Sequence, residues 1–362
     1  MPEKTALVIE PITMPASLDE DERGVVRAIE RIGNAAARHD SGTDDLDDTA
    51  EEILALWADQ TDDVRVGFTA ERGGEFVGVG AMLLRVQGEQ AVEFDVWVEP
   101  SLWGQGIEDA LLEEIEGEAL RRGRHTLQTY TLHRPDSPGR RLEPPTGFGS
   151  IPAQDRQTRF FLDHGYRLGQ VERNSAFDLQ GEFDEVERML ADALAAAGPD
   201  YRLLEWTIPT PDHLLGEFAR VRGRLATDMP AGDLVVEKDE WDAGRVRRRE
   251  DRFAAMGMTV SVAAVEHVQS GQLVAYNDIG ALAAEPEAPT HQFGTLVDPD
   301  HRGHRLGMVV KCANLLRWRS IAPRSPRVST FNAEENAHML AINVAISFTP
   351  VSYVGAWKKV LA

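Results

Sequence analysis

The stretch VDPDHRGHRLG, Val297–Gly307, joins an apolar, strand-like segment to a segment with helical periodicity. It contains two arginines, two histidines and two glycines, although the chain carries a formal net charge of -22. The first N–H groups of a helix lack intrahelical partners, and the helix dipole is positive there, so such a turn can hold an anion. Glycine lets the backbone approach closely, and arginine adds bidentate contacts to phosphate oxygens. We therefore predict that Arg302–Gly307, called the C-terminal turn below, binds a diphosphate.

The same stretch belongs to an internal repeat. Glu93–Glu114 aligns without a gap to Gln292–Ala313 and places Gly104 on Gly303. Strand-like and helix-like segments also follow one another in the same order in both halves. The sequence therefore predicts an α/β fold in which a mixed sheet is flanked by helices, present as two tandem domains. The expected boundaries are residues 1–180, a connecting helix over 181–199, and residues 200–362.

Composition limits the kinds of partner that we expect. The chain has 60 acidic and 38 basic residues, whereas proteins that follow nucleic-acid phosphates concentrate lysine and arginine. No apolar run is long enough to cross a membrane, and the N-terminus lacks the pattern of a secretory signal. The single cysteine, Cys312, cannot form an internal disulfide, which favours the cytoplasm. We expect no nucleic acid, membrane or metal ion as a partner.

The C-terminal turn differs from two familiar phosphate loops and is similar to a third. The sequence lacks both the G-x-x-x-x-G-K-[ST] pattern and a G-x-G-x-x-G that opens a βαβ unit. It resembles the acyl-CoA-binding motif of the GCN5-related N-acetyltransferase (GNAT) superfamily: a strand ending in Val297, then R-x-x-x-x-G, then a helix. Downstream, STFNAEENAHMLAINVAISFTPV (Ser329–Val351) resembles that superfamily's closing segment. The resemblance covers nearly the whole chain and is closest to tandem-domain actinobacterial members.

This resemblance implies acetyl-CoA (coenzyme A) as the cofactor and suggests which residues contact it. Asn336 stands where a pantetheine-contacting asparagine is common, although Asn332 and Asn336 also fit helix capping. Backbone groups of the strand end would meet pantetheine, and N–H groups of the turn would meet the diphosphate. The implied residues are Leu296 and Val297 for the former, and Arg302, Gly303, His304, Arg305, Leu306 and Gly307 for the latter.

The two copies of the turn are not equivalent. The family usually has glycine where Arg305 stands, but the N–H group of that residue remains. In the first copy Trp103 replaces Arg302 and Glu108 replaces Gly307. Like charges a few ångströms apart at an effective dielectric near 20 cost about 3–4 kcal/mol. We therefore predict that only the second copy holds the coenzyme.

Acetyl transfer to an amine needs a base and a proton donor for the departing thiolate. The resemblance implies His291 as the base, with Asp278 and Glu266 as alternatives. The tyrosine that usually donates the proton is replaced by Asn343, and Tyr353 could act only if its strand folds back over the site.

An acid is also missing from the second copy. Gly294 stands where tandem relatives tend to have a carboxylate, and the first copy keeps Asp95 there. Catalysis in the second copy is therefore expected to be slow, water-assisted or lost.

The sequence thus predicts an acetyl-CoA-dependent N-acetyltransferase that acts on the primary amine of a small molecule, with its active site in the C-terminal domain. The alternative is a non-catalytic acyl-CoA-binding or scaffold protein with two decayed GNAT domains. The oligomeric state is left open between monomer and homodimer. Two smaller features also have two interpretations: Trp97, Leu102 and Trp103 form either a core or a protein-binding patch, and Gly244–Phe253 forms either a solvated helix or an anion site.

Overall fold

The computed structural model describes residues 6–87, 91–237 and 240–362 of the chain. Within these ranges, none of the helices combines the length and the apolar character that a bilayer crossing requires.

The chain folds into two compact units, and neither is a continuous segment. Unit 1 consists of Met1–Glu172, Ala231–Glu237 and Val351–Ala362, and unit 2 consists of Arg173–Pro230 and Lys238–Pro350. Each unit contains a mixed sheet flanked by helices. This confirms the predicted α/β fold class.

Unit 1 contains most of the first half of the chain and the last strand of the second half. Its elements are β1 (Leu7–Pro11), α1 (Val25–Ser41), α2 (Ala50–Ala58), β2 (Asp63–Arg72), β3 (Glu75–Arg85), β4 (Ala91–Val98), α3 (Ile107–Arg121), β5 (Thr126–His133), β6 (Arg141–Leu142), β7 (Ile151–Pro152), α4 (Arg156–Asp163), the first part of β8 (Arg167–Asp178) and most of β14 (Thr349–Val360).

Unit 2 repeats this order of strands and helices. Its elements after β8 are α5 (Asp184–Ala197), β9 (Tyr201–Thr207), α6 (Leu215–Gly223), α7 (Leu225–Asp228), α8 (Ala243–Ala255), β10 (Met258–His267), β11 (Gln272–Leu282), β12 (Thr290–Val297), α9 (Leu306–Ile321), β13 (Arg327–Ala333) and α10 (Ala337–Ala345).

The strand order shows the repeat directly. In unit 1, β1 to β4 pair as successive antiparallel neighbours and β4 pairs in parallel with β5. In unit 2, β9 to β12 form the same antiparallel series and β12 pairs in parallel with β13. The gap-free alignment of the two halves therefore corresponds to equivalent positions in the two sheets.

The last strand of the chain does not complete the unit from which it comes. β14 pairs antiparallel with β5, and Tyr353 lies opposite His133. A short segment of the second half, Ala231–Glu237, also belongs to unit 1. The N–H of Val235 in this segment donates to Oε1 of Gln128 at 2.5 Å. The observed division therefore differs from the predicted continuous domain over 200–362.

The predicted connecting helix is part of a core. α5 ends at Gly198, where the expected helix stops, but it lies inside unit 2. Its residues Val186 and Ala193 are buried in apolar clusters that also contain residues of α9. It therefore stabilises the second unit instead of serving as a linker.

In both units the parallel pair of strands separates before the turn. β4 and β5 pair only over Ala91–Phe94, and β12 and β13 pair only at Thr290 and His291. The remaining residues of β12, including Leu296 and Val297, diverge from β13. Peptide groups on this diverging edge can accept a further extended chain as a partner.

Candidate functional site

The C-terminal turn has an open conformation. Gly303 and Arg305 have positive φ angles of 87° and 56°, and α9 begins at Leu306. The side chains of Arg302 and Arg305 are exposed, and they form no ion pair among the residues that the structure describes. The helix dipole and both guanidinium groups therefore leave positive charge that the described protein does not neutralise.

The equivalent turn of unit 1, Trp103–Glu108, is called the N-terminal turn. Here α3 begins after Gly106, and Glu108 is 3% exposed. Its Oε1 accepts a hydrogen bond from the N–H of Gly104 at 2.6 Å. The carboxylate thus binds the same kind of backbone donor that a phosphate would use. This geometry supports the prediction that the N-terminal turn is blocked.

The asparagines near α10 have distinct roles. Asn336 is the N-cap of α10, and its side chain accepts from the N–H of Met339 at 3.3 Å. The capping interpretation therefore describes Asn336 in this structure. Asn343 is buried, and its Nδ2 donates to Oδ1 of Asn332 at 2.7 Å.

Sequence reasoning missed the partner of Asn343. Lys311 of α9 is 1% exposed, and its Nζ donates to Oδ1 of Asn343 at 2.5 Å. Burial lowers the pKa of Lys311 to about 7. The position expected to supply the thiolate's proton thus carries an asparagine bonded to a lysine of unusual acidity. The available signal was a lysine within a helix whose first three turns are largely apolar.

The candidate bases are separated by the fold. His291 lies on β12 at the last residue paired with β13 before the strands diverge. Glu266 lies near the end of β10, where its carboxylate binds Arg202 at 2.8 Å. Tyr353 belongs to unit 1, so it is not among the residues that unit 2 brings together. All three candidate bases lie in unit 2, and His291 and Asp278 occupy the paired strands β12 and β11.

Asp278 is fully buried and holds two arginines. Its Oδ2 accepts from Nη1 of Arg222 at 3.0 Å and from Nη2 of Arg249 at 2.7 Å. Arg249 lies on α8, which contains the segment Gly244–Phe253. The expectation of a solvated helix is therefore wrong for Arg249, because that side chain is turned into the unit and ion-paired.

Unit 1 retains an acid where unit 2 has Gly294. Asp95 lies on β4 opposite Ala81. Burial, followed by the nearby charges of Glu93 and Asp48, raises the pKa of Asp95 to about 7. Unit 1 therefore has a carboxylate of raised pKa beside its diverging strands. Its turn, however, is occupied by the side chain of Glu108.

The aromatic residues around the N-terminal turn belong to cores. Leu102 and Trp103 are partly buried and pack against one apolar cluster of unit 1, and Trp97 packs against another. This supports the core interpretation of these residues. As for metals, the described ranges contain no group of three or more His, Cys, Asp or Glu side chains placed to hold an ion.

A family model and several solved structures are similar to parts or all of this chain. Residues 30–139, which lie within unit 1, match the Acetyltransferase (GNAT) family. No curated protein matches the chain.

Three solved structures share the fold. A tandem GNAT protein from the clavulanic acid biosynthesis pathway is 22% identical, with a TM-score of 0.75 over 98% of both chains. A GCN5-related N-acetyltransferase from Sphaerobacter thermophilus is 16% identical, with a TM-score of 0.59 over 98% of this chain and 95% of that one. The GCN5-related glucosamine N-acetyltransferase region of a fungal multi-domain GH3 β-N-acetylglucosaminidase is 12% identical, with a TM-score of 0.62 over 98% of this chain and 38% of that one. Residues 30–139 thus match the GNAT family model, and the chain as a whole shares the fold of a tandem GNAT protein.

Proposed function

We propose that the protein transfers an acetyl group from acetyl-CoA to the primary amine of a small molecule, and that unit 2 holds the coenzyme. The family match and the tandem fold support acyl-CoA-dependent acetyl transfer as the general class. The observation that carries the assignment to unit 2 is the contrast between the turns. The C-terminal turn is open and cationic, whereas Glu108 occupies the backbone donor of the N-terminal turn.

The residues of unit 2 fit the parts of such a coenzyme. N–H groups from Gly303 to Gly307 and two guanidinium groups suit a diphosphate. The N–H of Arg302 already donates to the carbonyl oxygen of Pro299 at 3.3 Å. The diverging edge at Leu296 and Val297 suits the amide groups of pantetheine, which can pair with it like a strand. Bound acetyl-CoA supplies a thioester whose carbonyl carbon forms a bond to the amine nitrogen as its bond to sulfur breaks.

The chain must also handle the protons of this transfer. We assign His291 to accept the proton that the amine loses, because an imidazole can take up a proton near neutral pH and this residue lies where β12 leaves β13. Lys311, whose Nζ donates to Asn343, can act as the proton source, since its pKa of about 7 lets an ammonium give up a proton near neutral pH. Asn343, which cannot donate a proton and recover it as a phenol can, positions that ammonium.

Calorimetric titration with coenzyme A tests the proposal. Reversing charge with Arg302→Glu and Arg305→Glu should weaken binding by about 10- to 100-fold, because two favourable contacts become repulsive. Arg324→Glu is the matched control, since Arg324 is a side chain of the same unit that is 63% exposed. Unchanged affinity in the double variant would remove the C-terminal turn from the proposal.

One observation favours the non-catalytic alternative. The buried Asn343 stands at the position where the family usually has a tyrosine donor. Thiol release from acetyl-CoA with a panel of amines separates the two functions. Release above the rate without amine supports transfer, and tight coenzyme binding with no release for any amine supports the binding protein.

A further inference from the structure

Unit 2 contains a buried charge cluster that the coenzyme site does not use. It consists of Arg222 from α6, Arg249 from α8 and Asp278 from β11. Nη1 of Arg222 also lies 3.5 Å from Oη of Tyr276. The side chains of the two arginines are only 10% and 8% exposed, and that of Asp278 is not exposed at all.

The charges of this cluster do not balance. Two guanidinium groups share one carboxylate, and both bonds go to Oδ2 of Asp278. Burial, with added repulsion from Arg222, lowers the pKa of Arg249 to about 10, so the group remains protonated at neutral pH. A net positive charge is therefore buried in unit 2, and burial of unpaired charge is costly unless a counter-ion joins it.

Two atoms of the cluster also lack hydrogen-bond partners in the described structure. These are Oδ1 of Asp278 and Nε of Arg222, both of which are buried. Buried polar atoms in folded proteins nearly always have a hydrogen-bond partner, so two such atoms without one in a single cluster require an explanation. One is an acceptor and the other is a donor, so a single ligand with a cationic and an anionic end satisfies both.

The cluster lies beside the diverging part of β12. Asp278 is directly opposite Gly294 in the sheet, and a Cβ on Gly294 would be 3.2 Å from Oδ1 of Asp278. In unit 1 the equivalent pair is Ala81 and Asp95. Each unit thus has one carboxylate at this strand pair, supplied by β4 in unit 1 and by β11 in unit 2. Because residue 294 is glycine, no side chain at that position crowds the carboxylate of Asp278.

Aromatic rings fix the two arginines on the remaining sides. The guanidinium of Arg222 lies 4.6 Å from the ring centre of Trp241, which is half-buried. That of Arg249 lies 4.4 Å from the ring centre of Phe253. Rigid, stacked guanidinium groups are well suited to bidentate recognition of a carboxylate.

We propose that the acceptor is a small zwitterion, an amine that also carries a carboxylate. Its ammonium group binds Oδ1 of Asp278, and its carboxylate binds Arg222 and Arg249. This inference deepens the proposed acetyl transfer, because it names the substrate class at unit 2. It also makes Asp278 a residue that contacts the acceptor nitrogen next to the diverging strand.

The test compares matched ligands on the full chain saturated with coenzyme A. Glycine, β-alanine and longer ω-amino acids are titrated by calorimetry beside their amides and beside simple alkylamines. At least one amino acid should bind about 10- to 100-fold more tightly than its amide, as expected for a hydrogen-bonded charge pair. Equal affinity of amino acids and amides, or no binding of any amino acid, overturns the proposal.

Variants supply a second measurement. Arg249→Lys keeps the positive charge but loses the planar guanidinium that can bind a carboxylate through two parallel hydrogen bonds. It should therefore lower amino-acid affinity by about tenfold and leave coenzyme affinity unchanged. If the variant does not fold, the ligand comparison on the unmodified chain still decides the question. Thiol release with alkylamines but not with amino acids would overturn the zwitterion and retain acetyl transfer, so the two proposals fail separately.

Discussion

At the scale of single residues, position 108 and its equivalent 307 distinguish the two turns. Glu108 bonds the N–H of Gly104, whereas Gly307 leaves the equivalent space to Ile342 of α10 and to Val297. The gap-free alignment predicted this contrast, because the charge of a side chain at a fixed register position can be read from the sequence alone.

Gly307→Glu should therefore give the C-terminal turn the obstruction of the N-terminal turn. We expect coenzyme affinity to fall by about 100-fold or more. A carboxylate a few ångströms from the diphosphate costs about 3–4 kcal/mol in repulsion. A Cβ at 307 would lie 2.9 Å from Cδ1 of Ile342, so Gly307→Ala measures the effect of crowding alone. Calorimetry on both variants separates the two effects. An equal loss in Ala and Glu variants would contradict the electrostatic explanation.

Lys311 gives a second prediction at this scale. An ordinary lysine has a pKa near 10.4, and burial lowers that of Lys311 to about 7. Between these values the unfolded chain binds a proton that the folded chain lacks, so this residue makes the free energy of unfolding rise with pH by up to about 1.4 kcal/mol per pH unit. Below pH 7 Lys311 is protonated in both the folded and the unfolded chain. The folded chain then bears the full free-energy cost of burying the charge.

Lys311→Met should remove that contribution. Its stability advantage over the unmodified chain should be greatest below pH 7 and shrink steadily towards pH 9. Denaturant unfolding at several pH values measures the difference. Parallel curves for the two proteins would show that Lys311 does not titrate in this range.

Other residues could not be predicted in this way. Arg222 and Arg249 are separated from Asp278 by 56 and 29 positions, and only the folded sheet brings them together. A run of arginines is normally solvated, and nothing in Gly244–Phe253 itself indicates that Arg249 points inward.

At the scale of elements, the order of strands and helices was predictable and one pairing was not. Alternation and periodicity indicate that β14 is a strand, but they do not identify its neighbour. The repeat suggested that β14 completes the second copy, whereas it pairs with β5 of unit 1. Strand partners depend on contacts far apart in sequence, and local patterns do not encode them.

Trp357 of β14 tests this pairing. It is fully buried in a core cluster of unit 1, and its Nε1 donates to Oγ1 of Thr131 at 2.8 Å. Trp357→Ala should destabilise unit 1 by about 3–5 kcal/mol, the usual cost of deleting a buried aromatic side chain. Hydrogen exchange should then show faster exchange in β5. Val360→Ala, at a residue of the same strand that is 67% exposed, should have little effect.

At the scale of the whole molecule, the sequence predicted two copies of one fold and the chemical difference between them. Duplication is visible in a gap-free alignment, and charge is visible in composition. The exchange of segments is not visible, because β8 and β14 have the same strand character whichever unit they join. Charge also varies locally: the C-terminal turn is cationic in a chain of net charge -22.

The membership of β14 in unit 1 bears on how the protein is made. β5 ends at His133, and its partner strand begins at Thr349, so a ribosome must translate the intervening stretch before the two can meet. During that interval this edge of β5 has no β14 to pair with. Its unpaired backbone groups in the nascent chain can then associate with other strands. Unit 1 therefore cannot be completed until β14 has been synthesised, although most of its residues precede unit 2 in the chain.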